Sequence, residues 1–302
     1  MKYCFLLPAY KVRFFDEALH SILFQSYKDF EVIVSDDCSP ENLKQVVDKY
    51  NDPRVKYHRN EFNIGAENLV NHWNLLLNLT EANYIIMASD DDIYDTNYLE
   101  SIDNLISSFP NVKIFRPRVR KIDTDGNTIF EENAIANHLN LNDYLDLWST
   151  LNISTGIPYY VFDRKSLLMN GGFVHFPYAW FSDDATVIKQ ASIGGIAVTD
   201  NILFSFRCSP FSISSSGNVH SVKEKFYAAE QFYNFVTNIK ENKRISQNTF
   251  ESTKKYIQYI SKNEFLRSGK RFSIFLIACF NASYASVRWK LGLLKQSLLN
   301  LF

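Results

Sequence analysis

Three consecutive carboxylates, Asp90–Asp91–Asp92, follow the apolar segment Tyr84–Ala88. Acids so crowded repel one another unless a cation or full solvation offsets their charge. A hard divalent ion such as Mg²⁺ or Mn²⁺ takes one or two carboxylates plus phosphate oxygens, which suits a diphosphate substrate. The same run can also be a solvated turn before a helix near Thr96, where the helix dipole favours acids. Asp36 and Asp37 form a second acidic site. Either carboxylate can accept hydrogen bonds from a nucleobase imide or a ribose hydroxyl, and either can cap the helix that follows. Arg59-Asn60 with Asn63-Ile64-Gly65 sets a cation, two amides and a glycine turn before another helix. Such a loop offers N–H groups and charge to an anion, or is a plain left-handed turn.

The elements that must position these residues read as α/β units. Tyr3–Leu7, Phe30–Val34, Val55–His58, Tyr84–Ala88 and Val112–Phe115 are short apolar runs bounded by turn residues, hence strands. Phe14–Ser26, Glu41–Tyr50, Ala66–Leu79 and Thr96–Phe109 carry apolar residues at helical spacing between them. This alternation predicts a Rossmann-like, mostly parallel sheet with helices on both faces. Ligands of such sheets bind at the carboxyl ends of the strands. Pro8-Ala9-Tyr10, Asp36-Asp37, Arg59-Asn60 and Asp90–Asp92 would then share one rim. Further on, Asp123–Gly126 predicts a turn between Arg118–Ile122 and Thr128–Phe130. Leu141–Leu151 and Ser182–Ala191 read as helices, and Ile196–Val198 and Ile202–Arg207 as strands.

With 302 residues, 46% of them hydrophobic, the chain can bury a large core. A net charge of −1 excludes a chain built as a whole to coat nucleic acid. Cys4, Cys38, Cys208 and Cys279 are scattered without zinc-ligand spacing, so free thiols in a reduced compartment are expected. Met1–Leu7 is too short before Pro8 for a secretory leader, and Ile274–Phe280 is too short to span a bilayer. The expectation is a cytoplasmic protein.

Taken together, these residues resemble glycosyltransferase family 2, whose members have the GT-A fold. Leu6–Tyr10 resembles the family's opening strand and loop, Val34–Ser39 its nucleotide-binding acidic motif, and Arg59-Asn60 to Gly65 its Asn/Gly loop. Ala88–Ile93 resembles its metal-binding acidic motif. Gly171-Gly172-Phe173 followed by Ser182-Asp183-Asp184 is similar to the acceptor-side segment with the catalytic carboxylate, and Phe206-Arg207 with Ser212–Ser214 to the arginine and serine pair beyond it. Ser89, Cys38 and Asp183 depart from the common pattern. They leave open which of Asp90, Asp91 and Asp92 meets the metal.

The resemblance implies a single displacement with inversion, moving a sugar from a nucleotide-sugar, usually UDP-linked, to an acceptor hydroxyl. Asp184, or Asp183 beside it, would be the general base. Asp92 or Asp91 would hold Mn²⁺ or Mg²⁺. Pro8, Ala9, Tyr10, Asp36, Asp37, Arg59, Asn60, Asn63, Gly65, Asp90, Asp91 and Arg207 would line the nucleotide-sugar site, with Arg207 on the diphosphate or pinning the loop Ser209–Gly217 over the donor. The acceptor would be a glycan or a glycan carried on a polyprenyl diphosphate, in bacterial surface-polysaccharide synthesis. The rival readings are a catalytically silent nucleotide-sugar binding or scaffold protein of the same fold, and a Mg²⁺-dependent phosphotransferase or phosphohydrolase. The latter usually has an acid after its first strand, where this chain has Pro8-Ala9-Tyr10.

The expected organisation is a catalytic domain over 1–220, with a nucleotide half (1–115) and an acceptor half (116–220), then a helical region over 221–302. After Glu264 the chain has no acidic residue and carries a net +6. Basic and apolar residues alternate over Arg271–Phe302, a pattern for lying on the inner-membrane surface or for packing on the catalytic domain or on a second subunit in a homodimer.

Overall fold

The computed structural model describes residues 1–209, 219–267, 276 and 282–298. Runs rich in aromatic and β-branched residues form β1 (Tyr3–Ala9), β2 (Phe30–Asp36), β3 (Val55–Arg59) and β4 (Tyr84–Met87). β2 is buried along its whole length, as a strand covered on both faces must be. Between these strands lie α1 (Phe15–Leu23), α2 (Leu43–Tyr50) and α3 (Leu69–Leu77). Each buries one apolar stripe, on α1 Phe15, Ala18, Leu19, Ile22 and Leu23. Asn42 caps α2 by accepting the N–H of Gln45.

The chain continues through β5 (Ile93–Tyr94), α4 (Tyr98–Ser108), β6 (Ile114–Ile122), β7 (Thr128–Glu131), β8 (His138–Leu139), α5 (Leu141–Ser149) and β9 (Val161–Asp163). There follow α6 (Arg164–Met169), α7 (Ser182–Ala191), β10 (Ile196–Arg207), α8 (Val219–Glu241), α9 (Gln247–Arg267) and a terminal helix Val287–Leu298.

The main sheet runs β3-β2-β1-β4-β9-β6-β10-β5, with β7 on β6 and β8 on β10. β3, β2, β1 and β4 are mutually parallel, as the crossover pattern predicts. The sheet then changes character. β9 lies antiparallel to both β4 and β6, so β6 stands one strand away from β4 rather than beside it. The two strands predicted at Ile196–Val198 and Ile202–Arg207 are one, β10, with register shifts after Val198 that absorb Thr199-Asp200-Asn201. The predicted hairpin forms, β6 meeting β7 across the Asp123–Gly126 turn.

One hydrophobic core runs from the sheet into the C-terminal helices, where Phe232, Val236, Phe250 and Ile257 join it. A buried ion pair braces its middle. Arg116 donates to both oxygens of Glu132 at 2.8 and 2.7 Å, and Glu132 also accepts the N–H groups of Val119 and Ser154. That full complement of partners offsets the cost of burying both charges. Leu293 of the terminal helix packs against Val222, Phe226 and Phe265, while Val287 and Leu291 face outward. Among the described residues no helix is long and apolar enough to cross a membrane. Phe272, Phe275, Phe280, Leu299 and Phe302 lie outside the described residues.

Candidate active site

A cleft of about 510 Å³ opens at the carboxyl ends of β1, β2 and β4, where the topology turns the chain outward on either side of β1. Its polar lining comes from Tyr10, Lys11, Asp37, Asn63 and Ser89 through Asp92, together with Arg207, and Pro8, Ala9 and Gly65 complete the rim. Strand register explains the convergence: Ala9 pairs with Asp36, and Asp36 with Arg59. Asp36, Arg59, Asn60, Asp183 and Asp184 are not among the lining residues.

The two adjacent acids after β2 part company. Asp36 is wholly buried; it accepts from Tyr57 Oη at 2.5 Å, Arg59 Nη1 at 2.6 Å and the N–H of Ser39 at 2.7 Å. Arg59 is thereby drawn to Asp36 and to the Ser39 carbonyl. Asp37 faces the cleft, but it also closes the Asn/Gly loop, accepting the N–H groups of Ile64 and Gly65 at 2.8 and 3.1 Å and Asn60 Nδ2 at 2.9 Å. The anion held by this loop is therefore Asp37 itself. Gly65 stands at φ 68°, and a Cβ there would come 3.0 Å from Asn63 Oδ1.

The acidic run is divided three ways. Asp90 Oδ2 accepts the N–H groups of Tyr10 and Lys11 at 2.8 and 3.0 Å, tying the run to the loop after β1. Asp92 is fully buried; Oδ1 accepts the N–H of Arg207 at 2.9 Å and Oδ2 the hydroxyl of Ser89. Asp91 stays partly exposed between them. Burial raises the pKa of all three, and it does so well above the ordinary range for Asp92. The neighbouring charge of Asp90 adds to the effect on Asp91, and that of Asp91 to the effect on Asp92.

Among the described residues no three His, Cys, Asp or Glu side chains converge as a ready metal cage. A divalent ion here would take one carboxylate and complete its shell with diphosphate oxygens and water. Asp92 has both oxygens engaged and Asp90 has Oδ2 held by two N–H groups, so Asp91 and Oδ1 of Asp90 are the candidates for that role.

Arg207 has a guanidinium only 1% exposed. Nε donates to the Asp91 carbonyl at 2.9 Å and Nη2 to Glu17 at 2.6 Å, and the group lies over the Phe14 ring. It braces the acidic run from behind. Residues 210–217 of the loop it was expected to pin, Ser212–Ser214 included, lie outside the described residues.

On the acceptor side, Gly172 at φ 78° brings the chain against α3, where Asn74 Oδ1 accepts the N–H of Phe173 at 2.8 Å and Asn74 Nδ2 donates to its carbonyl at 3.0 Å. A Cβ on Gly172 would meet Asn74 Oδ1 at 2.3 Å. Tyr178, Ala179 and Phe181 then all take positive φ, a strained lead-in to α7. Asp183 and Asp184 open that helix. Asp184 Oδ1 accepts the indole N–H of Trp148 at 2.9 Å. Burial lifts Asp183 to about 6, and burial together with the charge of Asp183 lifts Asp184 well above the ordinary carboxylate range.

The cleft also contains residues that motif reading passed over. Leu69, His72 and Trp73 present one face of α3 to it, and Ile157, Pro158 and Phe206 close the opposite side. His72 Nε2 pairs with Ser35 Oγ at 2.8 Å, and burial lowers its pKa. The i, i+3, i+4 spacing of Leu69, His72 and Trp73 was available as a signal, but it reads equally well as core packing.

A sheet of this order with an acidic cleft at its strand ends defines a protein of the GT-A class. The structural neighbours agree. TarS 1–349 of S. aureus in complex with UDP-GlcNAc superposes with a TM-score of 0.74 at 14% identity, over 99% of this chain and 89% of that one. A mannosyltransferase of Pyrobaculum calidifontis in complex with GDP-Man and Mn²⁺ superposes with a TM-score of 0.54 at 14% identity, over 100% and 81%.

Residues 4–181 match glycosyl transferase family 2, more than half of the chain, and the protein belongs to that family. It is 39% identical over 84 residues to the putative colanic acid biosynthesis glycosyl transferase WcaA of Escherichia coli K12, and 30% identical over 96 residues to the glucosyltransferase WfgD of Escherichia coli. The matches cover 27% and 32% of this chain, and 29% and 37% of those relatives.

Proposed function

We propose that this protein is a divalent-metal-dependent, inverting glycosyltransferase that moves a sugar from a UDP-linked donor to a hydroxyl of a lipid-linked glycan in bacterial surface-polysaccharide synthesis. The observation that carries the reading is the meeting of Asp37 with Asp90, Asp91 and Asp92 in one cleft at the ends of β1, β2 and β4. Asp37 and the Pro8–Tyr10 loop would receive the nucleoside. Asp91 would hold the ion, which when bound offsets the charge gathering on the departing diphosphate. The UDP-GlcNAc bound by TarS supports the choice of nucleotide. The acceptor named for WfgD, α-D-GlcNAc-diphosphoundecaprenol, supports a lipid-linked one.

In the reaction Asp184, beside Asp183, takes the proton of the acceptor hydroxyl. The acceptor oxygen forms its bond to the anomeric carbon from the face opposite the diphosphate, and the bond from that carbon to the diphosphate oxygen breaks. A carboxylate pair raised towards neutral pH by burial is suited to accept that proton. The same pair weighs against a silent scaffold, which has no use for two adjacent desolvated acids. The outward Val287 and Leu291, beside the exposed Arg288 and Lys295, support contact of the terminal helix with an anionic membrane surface.

The test is release of nucleotide from a panel of UDP- and GDP-sugars with and without Mn²⁺. Turnover of a UDP-sugar that needs the ion and vanishes in Asp91→Ala is expected. Turnover unaffected by chelator, or binding of UDP without turnover of any donor or acceptor, would overturn the proposal.

A further inference from the structure

Trp148 sits on α5, a helix that contributes nothing to the cleft, yet its indole N–H points at the carboxylate proposed as the base. We propose that Trp148 is the positioning residue of Asp184, and that α8 and α9 take part in catalysis by holding the indole in place. This inference rests on the base role assigned above.

The geometry is specific. Trp148 Nε1 lies 2.9 Å from Asp184 Oδ1 in a buried contact, and the side chain of Thr155 also bonds the carboxylate. The Trp148 ring meets Tyr256 of α9 at 4.3 Å between centroids and Phe232 of α8 at 5.8 Å. Phe232 stacks in turn on Phe181, 4.6 Å away and parallel within 1°, and Phe181 is the residue at φ 62° from which α7 starts. Both the carboxylate and the backbone that carries it are thus clamped by one aromatic cluster from the C-terminal helices.

Indole suits the task chemically. It donates one hydrogen bond and accepts none, so it never competes for the proton the base must take. By engaging Oδ1 it fixes the plane of the carboxyl group. It also favours the ionised form, against burial and the charge of Asp183. The titratable groups around the carboxylate are Asp183 on α7, Tyr144 on α5, Tyr160 before β9 and Tyr256 on α9, with the Arg116–Glu132 pair behind Tyr160. Among the described residues no lysine or arginine bonds directly to Asp184, and the donors that hold it, Trp148 and Thr155, are neutral.

The experiment labels the full chain with ¹³Cγ-aspartate and ¹⁵N-tryptophan and titrates it from pH 4 to 9. Loss of a carboxyl signal in Asp184→Asn assigns that residue, and loss of an indole signal in Trp148→Phe assigns Trp148 among the four tryptophans. In the wild-type chain the Trp148 indole signal should follow the aspartate titration and go flat in Asp184→Asn. In Trp148→Phe the midpoint should rise by about one pH unit or more, and the acid limb of kcat for UDP release from whichever UDP-sugar is turned over should rise with it while KM for that donor holds. An indole signal indifferent to pH in the wild-type chain overturns the proposal even if Trp148→Phe fails to fold, with the signals then assigned by Trp73→Phe, Trp180→Phe and Trp289→Phe. A folded Trp148→Phe with an unmoved midpoint also overturns it. Should Asp184→Asn keep full turnover, the base role itself fails, whatever the indole does.

Discussion

Asp92 accepts the backbone N–H of Arg207 at 2.9 Å across 115 residues of sequence. The bond exists because the acidic run leads straight into β5, which pairs antiparallel with β10 through Ile93–Ser205 and Tyr94–Phe204. The end of β10 is thereby delivered to the third acid of the run. Arg207 answers with its side chain, whose Nε holds the Asp91 carbonyl.

Asp92 should therefore matter for folding and Asp91 for the ion. Asp92→Ala strands the buried N–H of Arg207 and the Ser89 hydroxyl, and should cost about 1–3 kcal/mol. Asp91→Ala removes a partly exposed acid from two others and should leave thermal stability level or higher. Melting curves with UDP, with and without Mn²⁺, separate the two: the extra stabilisation by the ion should disappear in Asp91→Ala. Its persistence there would show that the ion sits elsewhere.

Arg207→Lys should behave as a structural lesion rather than a loss of phosphate charge. Lysine cannot reproduce the fork that reaches the Asp91 carbonyl and Glu17 together while covering Phe14. A fall of about 1–3 kcal/mol in unfolding free energy is expected. Weaker UDP binding at unchanged stability would contradict it.

Asp183 sets a pH dependence of stability. Its carboxyl titrates near 3.8 when unfolded and at about 6 in the fold, because burial disfavours its charge. The folded state thus binds this proton more readily between these values, so the contribution of Asp183 to stability is fully present below about pH 4 and is lost as pH rises through 6. Asp183→Asn removes that dependence. It should raise Tm by roughly a few degrees at pH 7.5 and change it little at pH 4, which a pair of melts at the two pH values would decide.

Gly172→Ala should detach the acceptor-side segment from α3, since the added methyl would lie 2.3 Å from Asn74 Oδ1 at a φ that L-residues avoid. A loss of about 1–3 kcal/mol is expected from the combined strain. Turnover should fall while UDP affinity holds, because Asn74 anchors Phe173 and does not itself line the nucleotide cleft. Equal loss of UDP affinity, measured by calorimetry, would refute that separation.

Local information in the sequence determined the first four strands, the helices between them and the rim on which the acids gather, because apolar period and turn residues are properties of a few neighbouring positions. It also determined the family, through short motifs in a set order. It could not rank adjacent acids. Asp36 and Asp37 are equivalent on paper, and so are Asp90, Asp91 and Asp92; strand alternation and distant partners send one inward to Tyr57 and Arg59, another to the N–H of Arg207. The three-residue β9 carries no readable period, and only pairing with β4 and β6 makes it a strand. The aromatic clamp on Asp184 joins α5, α7, α8 and α9. Contacts between residues so far apart in sequence are decided by packing, and packing exists only in the folded chain.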